Sequence, residues 1–173
     1  FAQYLQSPIY LYMKQYYTIT AFTENTPGVL YRIADLFLRR KINIESLTVS
    51  EVKNENQSRF TIVVHAEVTL VEKIVKQLYR IIEVVKVIDS VDSDLFSREI
   101  ALLKVSANKL EQRKEIEHLA KISPCVRIIE VKKTYIVLEK TGTEKNIADF
   151  YELMRPWGIK EFVQSGRIAV FKT

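Results

Sequence analysis

One succession of short elements runs through the chain twice. In the first half, "YYTITAFT" (16–23) is β-branched and aromatic, which predicts a strand. After the polar turn "ENTPG", apolar residues fall at Val29, Leu30, Ile33, Ala34, Phe37 and Leu38, the spacing of a helix. "NIESLTVSEV" and "SRFTIVVHAEV" read as two strands of a hairpin joined through "KNENQ". Val71, Ile74, Val75, Leu78, Tyr79 and Ile82 mark a second amphipathic helix, and "VVKVIDSV" (84–91) closes the half as a strand. A polar stretch, "DSDLFSRE" (92–99), introduces the second half. There "EIALLKVSA" is a strand and "EQRKEIEHLAKI" a helix. "VRIIEVKKTYIVLEKTG" gives two strands turning at Lys132-Lys133. The following helix places Ile147, Phe150, Tyr151 and Met154 on one face, and "GRIAVFKT" is the last strand. Both halves read β-α-β-β-α-β, without close residue identity between them.

A unit of that order has one sheet face and two helices to cover it, and right-handed crossovers fold it as a split βαβ, ferredoxin-like domain. The expected class is therefore α+β, two ferredoxin-like domains in tandem. Residues 1–15 are read as an N-terminal extension, 16–92 as the first domain and 98–173 as the second. Each half leaves a sheet face or an edge strand needing cover, and domains this small are marginal alone. Self-association through sheets or edges is the physical expectation.

The search for chemistry is mostly negative. Of the two histidines, His65 alternates within a strand and His118 lies on a Lys/Glu-rich helix; neither has metal-ligand neighbours in sequence. With four glycines in 173 residues, no Gly-rich phosphate loop is built, and no nucleophile elbow frames a serine. The carboxylate pairs Glu115/Glu117 and Asp92/Asp94 sit in polar segments. A catalytic role and a bound metal are not expected. The net charge of +5 is spread over helix faces and paired with acids, and the aromatic run of an RNA-binding sheet is absent, so no nucleic-acid partner is expected. The single cysteine, Cys125, begins an apolar run and reads as a small buried hydrophobe. It fits a reducing compartment, the cytoplasm. No apolar run is long enough for a membrane span. Residues 1–12 precede a natural beginning at Met13 and lack the basic start and cleavage site of a signal peptide; they read as an upstream extension or an appended remnant.

The turn "ENTPG" is the segment with binding potential. Asn25 or Thr26 suits a helix N-cap and Pro27 the first helical position. Gly28 leaves the backbone bare, so a carboxylate could reach the free amides of the helix. Asn43, at the far end of the helix, is too distant to reach that mouth within one copy. Brought by a symmetry mate, it would offer a carbonyl to a ligand's ammonium. Val29, Leu30 and Ile44 would accommodate a small aliphatic side chain. The competing interpretation makes Asn25 or Thr26 a cap, Gly28 turn punctuation and Asn43 a helix stop.

"ENTPGVLYRIADLFLRRKINIESLTVS", with "SRFTIVV", "VEKIVKQLYRIIEVVKV", "REIALLKV", "RIIEV", "YIVLEKTG" and "SGRIAVFK" following in order, resembles the regulatory (small) subunits of acetohydroxyacid synthase, also called acetolactate synthase. The resemblance covers Tyr16 to Thr173. It implies an N-terminal ACT domain and a homodimer that binds amino acid, valine before the other branched-chain ones. It further implies a catalytic large subunit as partner, holding thiamine diphosphate, Mg²⁺ and FAD, with none of these in this chain. In branched-chain amino acid biosynthesis such a subunit activates its partner and makes it sensitive to valine. The family's effector-site residues fall on Asn25, Gly28 and Asn43. A departure is Lys41-Ile42, where the family often has a glycine and an aromatic. The alternative function is a stand-alone amino-acid-sensing ACT protein that regulates transcription or another biosynthetic enzyme. No helix-turn-helix segment is found for the former.

Overall fold

The computed structural model describes residues 14–53 and 55–172, so the expected extension lies outside it up to residue 13. The chain forms two compact units, one of residues up to Phe96 together with Ala169 onward, the other Ser97–Ile168.

In the first unit, β1 (Gln15–Glu24), α1 (Val29–Arg39), β2 (Ser46–Val52), β3 (Gln57–Ala66), α2 (Val68–Leu78) and β4 (Val84–Val91) follow one another. The strands form an antiparallel sheet in the order β2-β3-β1-β4. Alternation along β1 turns Tyr17, Ile19 and Ala21 to the helical side, where Phe60, Ile62 and Val64 join them. Val29, Ile33, Leu36 and Phe37 of α1 and Val71, Ile74 and Leu78 of α2 close this core.

The second unit repeats the plan with β5 (Leu95–Ser106), α3 (Leu110–Ile122), β6 (Val126–Val131), β7 (Tyr135–Gly142), α4 (Glu144–Met154) and β8 (Ile159–Gln164), ordered β6-β7-β5-β8. Its core gathers Leu103, Val105, Ile136, Leu138, Ile116, Ile147, Phe150 and Met154. Two tandem ferredoxin-like arrangements are thus present. No described helix is long and apolar enough to cross a membrane.

Several details differ from the sequence expectations. The second half's first strand begins earlier than expected: within the polar stretch 92–99, a 3₁₀ turn at Asp92–Asp94 leads straight into β5, which begins at Leu95. The closing strand of the second sheet is β8, and "GRIAVFKT" contributes an additional strand, β9 (Ile168–Phe171), paired with β5. From Ala169 onward the chain counts with the first unit. The Arg59 guanidinium donates to the Ala169 carbonyl and lies over the Phe22 and Phe171 rings, 5.6 and 5.9 Å from their centroids. Burial there pushes the Arg59 pKa down from its ordinary value. Cys125 is exposed in a turn with φ 56°, not buried.

The segment "SGRIAV" has a structural task in the second unit. Arg167 is 4% exposed and lies 3.5 Å from the Glu99 carboxylate and 3.3 Å from that of Glu144. Gln164 donates to the same Glu99 carboxylate. Removing the guanidinium would strand a buried carboxylate, which typically costs about 3–5 kcal/mol. Arg167→Ala is therefore expected to lower unfolding free energy by roughly that amount in urea titrations. Unchanged stability would mean that the buried pair contributes nothing.

Candidate functional site

The turn between β1 and α1 is built by the strand register. β1 and β3 pair antiparallel with Thr23 opposite Ser58 and Glu24 opposite Gln57. The next residue, Asn25, then meets the end of the β2–β3 hairpin. Its backbone N–H donates to the Asn56 carbonyl at 3.0 Å, and its side-chain Oδ1 accepts from Ser58 Oγ at 3.0 Å. Asn25 is thereby tied to the sheet and is not the cap of α1. The N-cap is Gly28, in the left-handed region at φ 90°, ψ −10°, and no side chain caps the first turn. The sequence expectation of an Asn25 or Thr26 cap with Pro27 as the first helical residue is corrected by this geometry. The helix begins at Val29, and Gly28 needs its glycine to reach that φ.

Residues 25–28 are all exposed. An uncapped first turn presents backbone N–H donors at the positive end of the helix dipole. No acidic residue sits in that turn, and Arg32 places a cation there instead. A Cβ built on Gly28 would come 4.0 Å from the Arg32 guanidinium, which is ion-paired with Glu83. Free amides, a nearby guanidinium and the amide group of Asn25 together suit a carboxylate. Spacing arguments missed Arg32 and Ser58. A cation in a first helical turn is the signal for the former, and the hairpin register the only signal for the latter.

The apolar candidates separate. Val29 is 3% exposed and belongs to the core, so its side chain is spent there. Ile44 packs partly buried against the same core. Leu30 is 48% exposed. With Ala34, also exposed, and Leu38 at 74%, it forms an apolar stripe at i, i+4, i+8 along the outside of α1. Tyr31, 74% exposed, flanks that stripe.

Asn43 is exposed in the extended link before β2, and its Nδ2 donates to Glu45 Oε1 at 3.0 Å. It does not stop the helix. The stop is Lys41, at φ 54°, whose N–H reaches the Leu38 carbonyl at 2.9 Å while the Ile42 N–H reaches that of Phe37 at 3.1 Å. Those two bonds are a Schellman motif, with lysine in the left-handed position where glycine is usual. An eleven-residue helix rises roughly 16 Å, so Asn43 and the Gly28 turn do not meet in one chain.

Elsewhere, a hollow of about 230 Å³ on the second sheet is lined by Lys104, Glu130, Tyr135 and Glu161 among others. The hydrogen bond from Lys132 and then that from Tyr135 hold the Glu130 carboxyl below its ordinary range, and Glu130 raises Lys132 in return. Both groups are solvent-exposed, and the pair reads as surface electrostatics. Among the described residues no group of three or more His, Cys, Asp or Glu is placed to hold a metal ion.

Comparison with known proteins gives a consistent result. A family model described as "Small subunit of acetolactate synthase" matches residues 98–173, and one described as "AHAS small subunit-like ACT domain" matches 19–86. The chain is 42% identical over 156 residues to a probable acetolactate synthase small subunit of Archaeoglobus fulgidus, covering 90% of this chain and 96% of that one. It is 40% identical over 156 residues to the acetolactate synthase small subunit of Mycobacterium leprae, covering 89% and 90%. The solved small subunit from Thermotoga maritima superposes with a TM-score of 0.83 at 32% identity, covering 92% of this chain and 98% of that one.

The conformation of Gly28 generates a test of the turn itself. An added Cβ meets no atom nearer than 4.0 Å, so Gly28→Ala would suffer backbone strain rather than a clash. Its expected cost is about 1–2 kcal/mol. A shift of the urea midpoint with helix content retained would show it; no shift would mean that the turn relaxes freely to negative φ.

Proposed function

The chain belongs to the acetolactate synthase small-subunit family, and on that footing we propose that it is a non-catalytic regulatory subunit of the synthase, working as a homodimer in the cytoplasm. It activates a catalytic large subunit, where the thiamine diphosphate, Mg²⁺ and FAD reside, and transmits feedback from a branched-chain amino acid, valine first. The observation that carries this reading is the uncapped first turn of α1 behind a left-handed Gly28.

Valine's carboxylate sits on the amides that follow Gly28, within reach of the Asn25 amide. The Asn25 side chain spends its oxygen on Ser58 and makes no other hydrogen bond among the described residues, so its N–H₂ is available to an anion. The ammonium meets Asn43 of a second copy, whose Nδ2 is engaged with Glu45 while its Oδ1 remains an acceptor. Two features support the second copy. β2 lies at the edge of its sheet, with Leu47 and Val49 36% and 43% exposed. The apolar stripe along α1 is uncovered in a single chain. An exposed strand edge and an uncovered apolar stripe each invite pairing with another copy. A ligand held between two chains favours the dimer geometry that joins its halves, and this differential affinity shifts the equilibrium.

Isothermal titration of the chain with valine is expected to show one saturable site per protomer, abolished by Asn25→Ala. In the reconstituted synthase, Gly28→Asp is expected to remove valine inhibition while leaving activation, because it sets a carboxylate against the ligand's own. Absence of binding by any branched-chain amino acid, or full valine sensitivity in Gly28→Asp, would sink the proposed site.

A further inference from the structure

We infer that the arginine-lined groove between α1 and the α2–β4 connection is the surface on which the catalytic subunit docks, through an acidic segment that carries an apolar residue. The inference rests on the regulatory role proposed above and assigns that role a surface.

The groove encloses about 430 Å³. Arg32, Arg39 and Arg40 line it from α1 and Arg80 from the far side, against two carboxylates, Asp35 and Glu83. Both carboxylates are already engaged: Arg39 holds Asp35 at 2.8 Å and Arg32 holds Glu83. Arg40 donates to the Leu36 carbonyl at 3.1 Å, a neutral acceptor. The Arg80 guanidinium has no hydrogen bond or ion pair among the described residues. Two guanidinium charges therefore stand uncompensated in one groove. Their planar donors match carboxylates in paired hydrogen bonds.

Ile82 adds an apolar element. It lines the same groove and is 95% exposed, beside the half-buried Ile81. Arginine set around an exposed apolar anchor is the composition of protein-binding hot spots rather than of a small-anion pocket. A second copy of this chain is a poor occupant, because it presents the same cationic groove and a net charge of +5. Position argues the same way. Arg32 on α1 is offset by two residues from Leu30 of the Leu30–Ala34–Leu38 stripe, about 200° around the helix. One flank can meet a second copy while the other meets the catalytic subunit. Arg32 belongs to both regions, lining the groove and lying beside Gly28. A ligand carboxylate at the turn would compete with Glu83 for it and so alter the groove.

The test uses the full chain and the purified catalytic subunit, reading complex affinity and the activation titration, with valine titration of the chain alone as control. Arg80→Glu and, separately, Ile82→Asp alter exposed side chains. Each is expected to weaken the complex at least about tenfold while valine binding is unchanged, and Arg80→Lys to retain most of the affinity. Raised salt should weaken the wild-type complex more than that of Arg80→Glu. Wild-type titrations in both Arg80→Glu and Ile82→Asp would overturn the groove and leave the regulatory role standing. So would an altered oligomeric state with activation untouched, which would make the groove a contact between copies. Failure of the wild-type chain to bind or activate the catalytic subunit would instead overturn the regulatory role, and the groove's with it.

Discussion

The antiparallel pairing of β1 with β3 is the constraint on which the first unit depends. Side chains alternate along a strand, so the register that sets Ile19 against Ile62 also decides which residues face the helices. A slip by one residue would turn Tyr17, Ile19 and Ala21 away from α1 and α2 and bring Thr18 and Thr20 into the apolar layer. The same register delivers Asn25 to Asn56 and Ser58 at the strand's end. The shape of the candidate turn is therefore inherited from the sheet. It does not rely on the helix that it precedes.

Much of this was legible in the sequence, for identifiable reasons. β4 runs from Val84 to Val91 and the helix faces hold Ile33, Phe37, Ile74, Leu78, Ile147 and Phe150 where periodicity set them, since burial in a ferredoxin-like layer needs that spacing. The misses cluster where tertiary geometry overrides local pattern. α2 ends at Leu78, and the chain tightens through Arg80 N–H to Gln77 and Ile81 N–H to Leu78, which swings Ile82 outward. Tyr79 is not a core residue either: its hydroxyl both donates to and accepts from the Val87 backbone, within β4. β8 was hidden because its two core-packed residues, Ile159 and Phe162, are three apart and the apolar Val163 beside them is exposed. A register shift between Lys104 and Val105 of β5 breaks the alternation that would have revealed it. Capping was misjudged because a sequence lists cap-forming residues but not their rival partners, and Ser58 claims Asn25 from 33 positions away.

The two ends of α1 solve opposite problems by the same backbone conformation. At the front, Gly28 takes positive φ without steric cost and leaves the first amides uncovered. At the back, Lys41 takes φ 54° at a cost of about 1–2 kcal/mol for a residue with a Cβ. Two Schellman hydrogen bonds and the packing of Ile42 on the core hold it there. Lys41 thus holds a left-handed geometry that glycine adopts more readily, and Asn43 follows directly after this stop.

α1 is then a rod with three faces and two shaped ends. Val29, Ile33 and Phe37 fasten it to the core, Leu30, Ala34 and Leu38 form an uncovered apolar flank, and Arg32, Arg39 and Arg40 form a cationic one. An isolated surface helix would be expected to place polar residues on every side that is not core. Here the exposed leucines depart from that expectation, while the arginine flank meets it but leaves Arg40 without an acidic partner among the described residues. An apolar surface would cover the first flank and an acidic one would complement the second. Because both flanks belong to one rigid element whose first turn is the candidate ligand site, a ligand that favours one arrangement of the first turn changes the free energy of both contacts. No long chain of intermediates would then be required for the proposed regulation: the Arg32 side chain lies beside the turn, lines the groove and pairs with Glu83.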